Sequence, residues 1–198
     1  MLKRGFDICF ALAGLLLASP ALAGLALAIK LADWGPIFYR GVRVGRHGNS
    51  FRIFKFRTMV VNAEKIGGPS TADDDPRITW IGKFLRKTKL DELPQLLNVL
   101  AGNMSFVGPR PEVPAEVEQY TAEQRQLLEA RPGITDYASI RFRNEGEILK
   151  GHPDPHQAYK ELIQPEKIRL GLEYVRNPSL ITDVKIILLT LKVVIAGK

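Results

Sequence analysis

The stretch Ile8-Cys9-Phe10-Ala11-Leu12-Ala13-Gly14-Leu15-Leu16-Leu17-Ala18-Ser19-Pro20-Ala21-Leu22-Ala23-Gly24-Leu25-Ala26-Leu27-Ala28-Ile29 runs for 22 residues without a charge. As a straight helix it would measure ~33 Å, enough to cross a hydrocarbon core. It is too long for the apolar part of a signal peptide, and no small-residue cleavage site separates it from the basic segment that follows. Ser19-Pro20 lies at its middle. A proline there removes one backbone hydrogen bond and kinks or breaks a helix, and a neighbouring serine hydroxyl can serve the carbonyl so freed. The flanks agree in sign: Lys3 and Arg4 precede the run, and Lys30, Arg40, Arg43 and Arg46 follow it. By the positive-inside rule both ends face the cytoplasm. Two readings fit: a kinked single span, or a helix that enters, bends at Ser19-Pro20 and returns, each arm of 12 or 10 residues reaching about half-way into the bilayer.

The chain has 198 residues, of which 25% are charged and 45% hydrophobic, ordinary globular usage that argues against disorder. Its net charge of +7 is uneven: residues 1–110 carry +8 and residues 111–198 carry −1. A basic half points to an anionic partner, whether nucleic acid, a phosphate-bearing small molecule or an acidic membrane. The lone Cys9 sits in the apolar run, which excludes a disulfide framework and a thiolate metal cluster. His152 and His156 are separated by two prolines and read as a solvated loop rather than a helical ligand pair.

Beyond the apolar run, residues 37–59 read as a β-hairpin or two short strands, with a turn at Gly45-Arg46-His47-Gly48-Asn49 and with Arg52, Lys55 and Arg57 interleaved among apolar residues. Glycines, aspartates and prolines make 67–76 a loop. Residues 78–87 have helical spacing, with Ile78, Ile81, Phe84 and Leu85 on one side. Pro94 needs a first-turn position, so the next helix is expected to start with Asp91 as N-cap, carry Leu93–Leu100 and end at Gly102. Residues 112–130 read as one polar amphipathic helix stopped by Pro132-Gly133. The apolar 180–195 segment, with Lys185 and Lys192 seven apart, fits an interfacial helix or a core helix.

Asp91-Glu92 is the most suggestive pair for chemistry. At a helix N-terminus a carboxylate stays ionised, the same end can hold a phosphate, one carboxylate can attack phosphorus and its neighbour can hold Mg²⁺. The pair also reads as an ordinary helix start, since Asp is a common N-cap. Gly108-Pro109-Arg110-Pro111-Glu112 is a rigid segment presenting one arginine, suited to a diphosphate. Arg141 and Arg143 alternate with Phe142. Asp73-Asp74-Asp75 mimics a metal site but also an acidic turn. No Walker A or Rossmann glycine pattern is present.

In order and spacing, Lys3-Arg4-x-x-Asp7, Ser19-Pro20, Lys55-Phe56-Arg57-Thr58-Met59, Asp75-Pro76-Arg77, Asp91-Glu92-Leu93-Pro94-Gln95-Leu96, Gly108-Pro109-Arg110-Pro111, Arg131-Pro132-Gly133-Ile134-Thr135 and Asp183-Val184-Lys185-Ile186 resemble the monotopic phosphoglycosyl transferases, a bacterial sugar transferase family. The resemblance covers nearly the whole chain. It implies a re-entrant helix bent at Ser19-Pro20 within residues 1–34, and a membrane-associated catalytic part in residues 35–198 on the cytoplasmic face of the inner membrane. It further implies transfer of a sugar 1-phosphate from a UDP-sugar to undecaprenyl phosphate with release of UMP, through a phosphosugar covalently held on Asp91. Glu92, with Asp91, would bind Mg²⁺. Lys55, Arg57, Arg86, Arg110 and Arg143 would contact phosphate or nucleotide, and Asp183 would play a supporting acidic role. The fold expected is therefore one α+β domain over 1–198, mostly helical, with a short hairpin and interfacial helices, corresponding to the short catalytic form. One departure is Phe142, where many members carry glycine. The rival readings are a metal-dependent glycosyltransferase using Asp73–Asp75, which would release UDP, and a basic membrane-bound scaffold. A nucleic-acid binder fits the membrane segment worst.

Overall fold

The computed structural model describes residues 2–196. Helix α1 spans Leu2–Asp33 and contains Pro20. The break expected at Ser19-Pro20 does not interrupt it. The carbonyl that proline's missing N–H leaves free is that of Leu16, and Ser19 Oγ donates to it at 2.8 Å. Only Asp7, Ala11 and Ile29 of α1 are buried. The leucines just before the bend position are open, Leu16 at 74% and Leu17 at 85%, so α1 presents an apolar surface that the chain itself does not cover. It is long and apolar enough to cross a membrane.

The charges flanking the apolar run fasten it to the rest of the chain. Lys3 Nζ meets Asp183 Oδ2 at 2.5 Å and donates to the Val107 carbonyl at 3.2 Å. Arg4 donates to the Val99 and Leu100 carbonyls at 2.6 and 2.9 Å, closing the end of a later helix. Buried Asp7 accepts from Ser105 Oγ and the Phe106 N–H at 3.0 and 3.1 Å. At the far end, Arg57 forks onto Asp33 with Nη1–Oδ2 at 2.6 Å and Nη2–Oδ1 at 2.5 Å. Both ends of α1 are thus held by the same polar body. Between them, Ala11 packs with Phe51, Ile53, Leu96, Val99 and Met104, and Ile29 with Phe56, Ile81 and Leu85.

Strands β1 (Phe38–Tyr39), β2 (Val42–Val44), β3 (Ser50–Arg52) and β4 (Lys55–Phe56) form the expected hairpin. β2 pairs with β3 and β1 with β4, both antiparallel. The 3-10 turn Arg46–Gly48 closes it, with His47 and Gly48 at φ 59° and 80°. Asn98 pins the far strand, accepting from Phe54 N–H at 2.8 Å and donating to the Arg52 carbonyl at 2.9 Å.

Helix α2 is Trp80–Thr88, capped by Thr79, whose Oγ1 accepts from Gly82 N–H at 3.0 Å. Ile78, Ile81 and Leu85 are buried as expected, but Phe84 is not on their face. It is 53% exposed beside Trp80 at 74%. The next helix also differs from expectation. Asp91 does not cap it. Lys89 turns the chain at φ 58°, a 3-10 turn runs over Leu90–Gln95, and α3 (Leu96–Ala101) follows. The left-handed turn at Lys89 feeds directly into the 3-10 turn, and the residue before a proline is disfavoured in α geometry, so the regular ladder starts only beyond Pro94. Gly102 ends α3 at φ 85°, as read.

Strand β5 (Ser105–Val107) pairs in parallel with β6 (Gly133–Thr135). Between them the single helix expected over 112–130 is two pieces: α4 (Pro114–Glu118) and a 3-10 turn over Gln124–Glu129. Pro114 can only start a helix. Thr121 and Gln124 then exchange Thr121 N–H to Oε1 at 2.9 Å and Gln124 N–H to Oγ1 at 3.3 Å, a reciprocal cap that begins a new turn. α5 (Tyr137–Arg141), α6 (Glu145–Ile148), α7 (Pro155–Leu162), α8 (Gln164–Arg176) and α9 (Leu180–Ala196) complete the chain. His156 lies in the first turn of α7 rather than in a loop, because Pro155 suits the N1 position and Asp154 caps the helix. α9 buries Asp183 and Ile186 and leaves Ile181, Val184, Leu188 and Leu191 exposed in helical step, with Lys185 and Lys192 also exposed. The helix therefore carries an exposed apolar stripe bordered by lysines.

Candidate active site

The delayed start of α3 places Asp91 and Glu92 in a 3-10 turn directly after Lys89. That turn packs against β4, which brings Lys55 opposite Glu92, and Lys55 Nζ donates to Glu92 Oε1 at 2.8 Å. Arg110 reaches the same carboxylate from the other side, with Nη1–Oε2 at 3.2 Å and Nη2 on Oε1. Glu92 is therefore held between two cations. Burial opposes its ionisation, yet Arg110 and Lys55 keep it well below the usual glutamate range. Burial pushes the Lys55 ammonium down, and the Glu92 charge offsets part of that effect.

Asp91 is the reverse case. It is buried, and its Oδ1 has no hydrogen-bond partner. Burial first and the charge of Glu92 second push it up, against the pull of Lys55, Arg86 and Lys89. Three buried side-chain polar atoms lack a partner among the described residues, and two of them, Asp91 Oδ1 and Gln95 Nε2, lie in this one turn. Native proteins rarely leave such atoms unpaired, and each one calls for a strain, catalytic or bound-ion explanation.

The position of Arg110 follows from two motifs that the sequence presents separately. Gly108 N–H donates to Thr135 O at 3.2 Å and Gly133 N–H to Pro109 O at 3.0 Å. The two backbones approach so closely that a Cβ on Gly108 would lie 2.1 Å from Arg131 O, and one on Gly133 2.2 Å from Gly108 N. Both glycines are required by this contact. The interlock holds Arg110 rigidly over Glu92, with Asp136 and Glu145 nearby in its field.

Of the residues singled out in the sequence, Asp91, Glu92, Lys55, Arg86 and Arg110 come together. Arg57, Arg143 and Asp183 do not join them. Arg57 is spent on Asp33 and the Pro36 carbonyl. Arg143 donates to the Val193 and Val194 carbonyls near the end of α9. Asp183 is engaged by Lys3 and by Tyr174, whose hydroxyl donates to it at 2.7 Å. Lys89 and Gln95 were missed. Their signal was their closeness to Asp91, two residues before it and four after. Phe142, in place of glycine, packs against the cluster of Ala72, Leu149, Ala158, Tyr159 and Ile163, so it ties α5 into a core.

The acidic loop is structurally engaged. Arg77 grips Asp75 with Nη2–Oδ2 at 2.6 Å and Nε–Oδ1 at 3.0 Å, and the backbone of Asp73 bonds to Gly146. No group of three metal-ligating side chains occurs among the described residues. Arg77 lowers the pKa of Asp75. The sign follows: the pair stabilises the fold fully above the ordinary aspartate range and loses that contribution as pH falls through the lowered value. Asp75→Asn is expected to cost about 1.5–3 kcal/mol at neutral pH, with melting curves of the two proteins converging in acid.

An apolar cavity of ≈ 240 Å³ lies beside this turn, lined by Leu15, Leu22, Ala23 and Ala26 of α1 and by Phe38, Phe56, Pro94 and Leu97.

A family model described as "Bacterial sugar transferase" matches residues 1–197. The "UDP-glucose:undecaprenyl-phosphate glucose-1-phosphate transferase" of Escherichia coli (strain K12) is 42% identical over 199 residues, covering 96% of this chain and 39% of that protein. The "Undecaprenyl-phosphate galactose phosphotransferase" of Salmonella typhimurium is 38% identical, covering 98% of this chain and 40% of that protein. The "Exopolysaccharide production protein ExoY" of Sinorhizobium fredii is 35% identical, covering 97% of this chain and 84% of that protein. The chain thus spans about two-fifths of the length of the first two relatives and most of the third.

Proposed function

The chain belongs to the bacterial sugar transferase family, and we propose that it transfers a sugar 1-phosphate from a UDP-sugar to undecaprenyl phosphate, releasing UMP. The observation that carries this reading is Asp91: a buried carboxylate without a hydrogen-bond partner, next to a second carboxylate clamped by Lys55 and Arg110. A structural N-cap would be bonded to backbone amides. This carboxylate is not, and its position suits a nucleophile.

In the first step an Asp91 oxygen attacks the β-phosphorus of the UDP-sugar. An Asp91 O–P bond forms, the bond from that phosphorus to the bridging oxygen breaks, and UMP leaves with the bridging oxygen and its electron pair. In the second step an oxygen of the lipid phosphate attacks the same phosphorus and the Asp91 carboxylate is restored. Lys55, Arg86, Lys89 and Arg110 surround the pair with positive charge, which draws in the anionic diphosphate and stabilises the phosphoryl oxygens in transit.

The two adjoining carboxylates also fit Mg²⁺, an ion usually held by one or two carboxylates together with substrate phosphates. Asp91 and Glu92 would hold it, and it would neutralise charge on the diphosphate.

The lipid acceptor is supported by α1. Its leucines are open to the surroundings, and both its ends are held by one polar body through Lys3, Arg4, Asp7 and Asp33. A body this polar stays on one side of a bilayer, so α1, with both ends held on it, enters that side without crossing. This favours re-entrant insertion at Ser19-Pro20, with Trp80 and Phe84 of α2 and the exposed stripe of α9 lying in the interface. The UDP-sugar then comes from the cytoplasm.

The test is the nucleotide product. Detergent-solubilised protein with Mg²⁺, undecaprenyl phosphate and a panel of UDP-sugars should release UMP. Release of UDP instead would reject phosphosugar transfer. A folded chain that releases no nucleotide across the panel would favour the scaffold reading.

A further inference from the structure

The cavity beside α1 reaches the catalytic turn at one residue, Pro94. In a 3-10 turn, side chains three apart eclipse each other, so within Leu90–Gln95 the residue stacked on Pro94 is Asp91. The cavity wall therefore ends one layer beneath the carboxylate. Its α1 lining straddles Pro20, with Leu15 before it and Leu22, Ala23 and Ala26 after it. The other walls are Phe38, Phe56 and Leu97, and the eight lining residues are all apolar.

We propose that this cavity is the seat of the first isoprene units of the lipid acceptor, and that the chain reads about two of them. The inference rests on the functional reading above and adds where, and how far, the lipid is recognised. An apolar slot that opens along a lipid-facing helix suits a hydrocarbon chain. Its wall at Pro94, stacked on Asp91 in the 3-10 turn, brings the phosphate attached to that chain to the phosphosugar. The size follows from volume. A ~150 Å³ apolar cavity accepts a six-carbon ring, so ≈ 240 Å³ accommodates about ten carbons, or two five-carbon units. The remaining units stay in the bilayer, where added length changes no contact with the protein.

The experiment uses the full chain in detergent with prenyl phosphates of one to four isoprene units and with undecaprenyl phosphate. The acceptor KM is expected to fall by at least about tenfold from one unit to two and to change less than about threefold with each further unit. Ala23→Trp, which fills the slot, should raise the acceptor KM and flatten its dependence on length. The single-turnover burst of UMP from the UDP-sugar alone should remain. Leu97→Ala enlarges the slot at a residue already 38% exposed and should move the break from two units to three. Leu17→Trp, on the open face of α1, is the control and leaves the length profile unaltered.

A KM that declines smoothly with length, equally in wild type and both slot variants, would overturn the proposal and indicate a slot filled by a membrane acyl chain. If wild type gives no UMP burst from any UDP-sugar, the functional reading itself fails, and the proposal with it. A normal burst with an unaltered length profile in both slot variants rejects the proposal alone.

Discussion

Asp91→Asn is expected to lower UMP release by roughly six orders of magnitude, the scale seen when an enzyme loses its nucleophilic side chain, while melting no lower than wild type. The two halves of this prediction come from the same geometry. A carboxamide cannot form the bond to phosphorus, and the cations that remain do not replace that chemistry. For stability the sign reverses, because Asp91 Oδ1 is buried without a partner and its charge faces Glu92. An unsatisfied buried polar group costs about 1–3 kcal/mol, and an amide relieves the charge repulsion. A structural carboxylate would behave in the opposite way, since its loss lowers the melting point. Thermal unfolding beside a UMP assay decides between them, and residual activity above about a tenth of wild type would exclude Asp91 as the nucleophile.

The second large effect is at Arg110. Arg110→Met leaves Glu92 buried with Lys55 as its remaining direct partner. Breaking one side of a buried ion pair costs about 3–5 kcal/mol; Arg110 is 32% exposed, which places the expected loss at the lower end. For a chain of this size that is about 6–12 °C in melting temperature. Activity should also fall by at least a hundredfold (about 10²) as the phosphoryl oxygens lose a donor held rigidly by the interlock of Gly108 with Gly133. A second substitution separates the two losses. Arg110→Lys keeps a cation beside Glu92 but loses the two-pronged fork, so stability should largely return while activity does not. If both recover together, Arg110 acts through its charge on Glu92 and not as a shaped donor to the substrate.

The family was legible from the order of its motifs, and the family model over residues 1–197 bears this out. Local elements were legible where a single residue decides them. The turn at Gly45–Asn49 made the hairpin, and Gly102 ended α3. Expectation failed where two local rules competed. Residues 112–130 have helical polarity throughout, yet Pro114 permits only a start and Thr121 with Gln124 makes another, so the chain breaks between them. At Asp91 the preference of aspartate for N-caps lost to the left-handed turn at Lys89, which starts a 3-10 turn one residue earlier.

Side-chain assignment failed for a different reason. Lys55 and Arg57 alternate on one strand segment, and nothing local says which meets the carboxylates. The answer lies in Asp33, 24 residues earlier, which captures Arg57. Asp183 is taken by Lys3 across 180 residues. Such pairings are properties of the assembled chain, and spacing cannot reveal them. They also give the opening Lys-Arg-x-x-Asp motif a role that charge counting does not, since each of its three charged side chains anchors α1.

The most direct test of the account is intact-mass spectrometry of the chain after incubation with its UDP-sugar and Mg²⁺ but no lipid acceptor. The account predicts a mass increase of one sugar phosphate, located by peptide mapping to Asp91, lost on adding undecaprenyl phosphate and absent from Asp91→Asn. An unmodified mass in a preparation that turns over when lipid is added, or an adduct at any other residue, would contradict it.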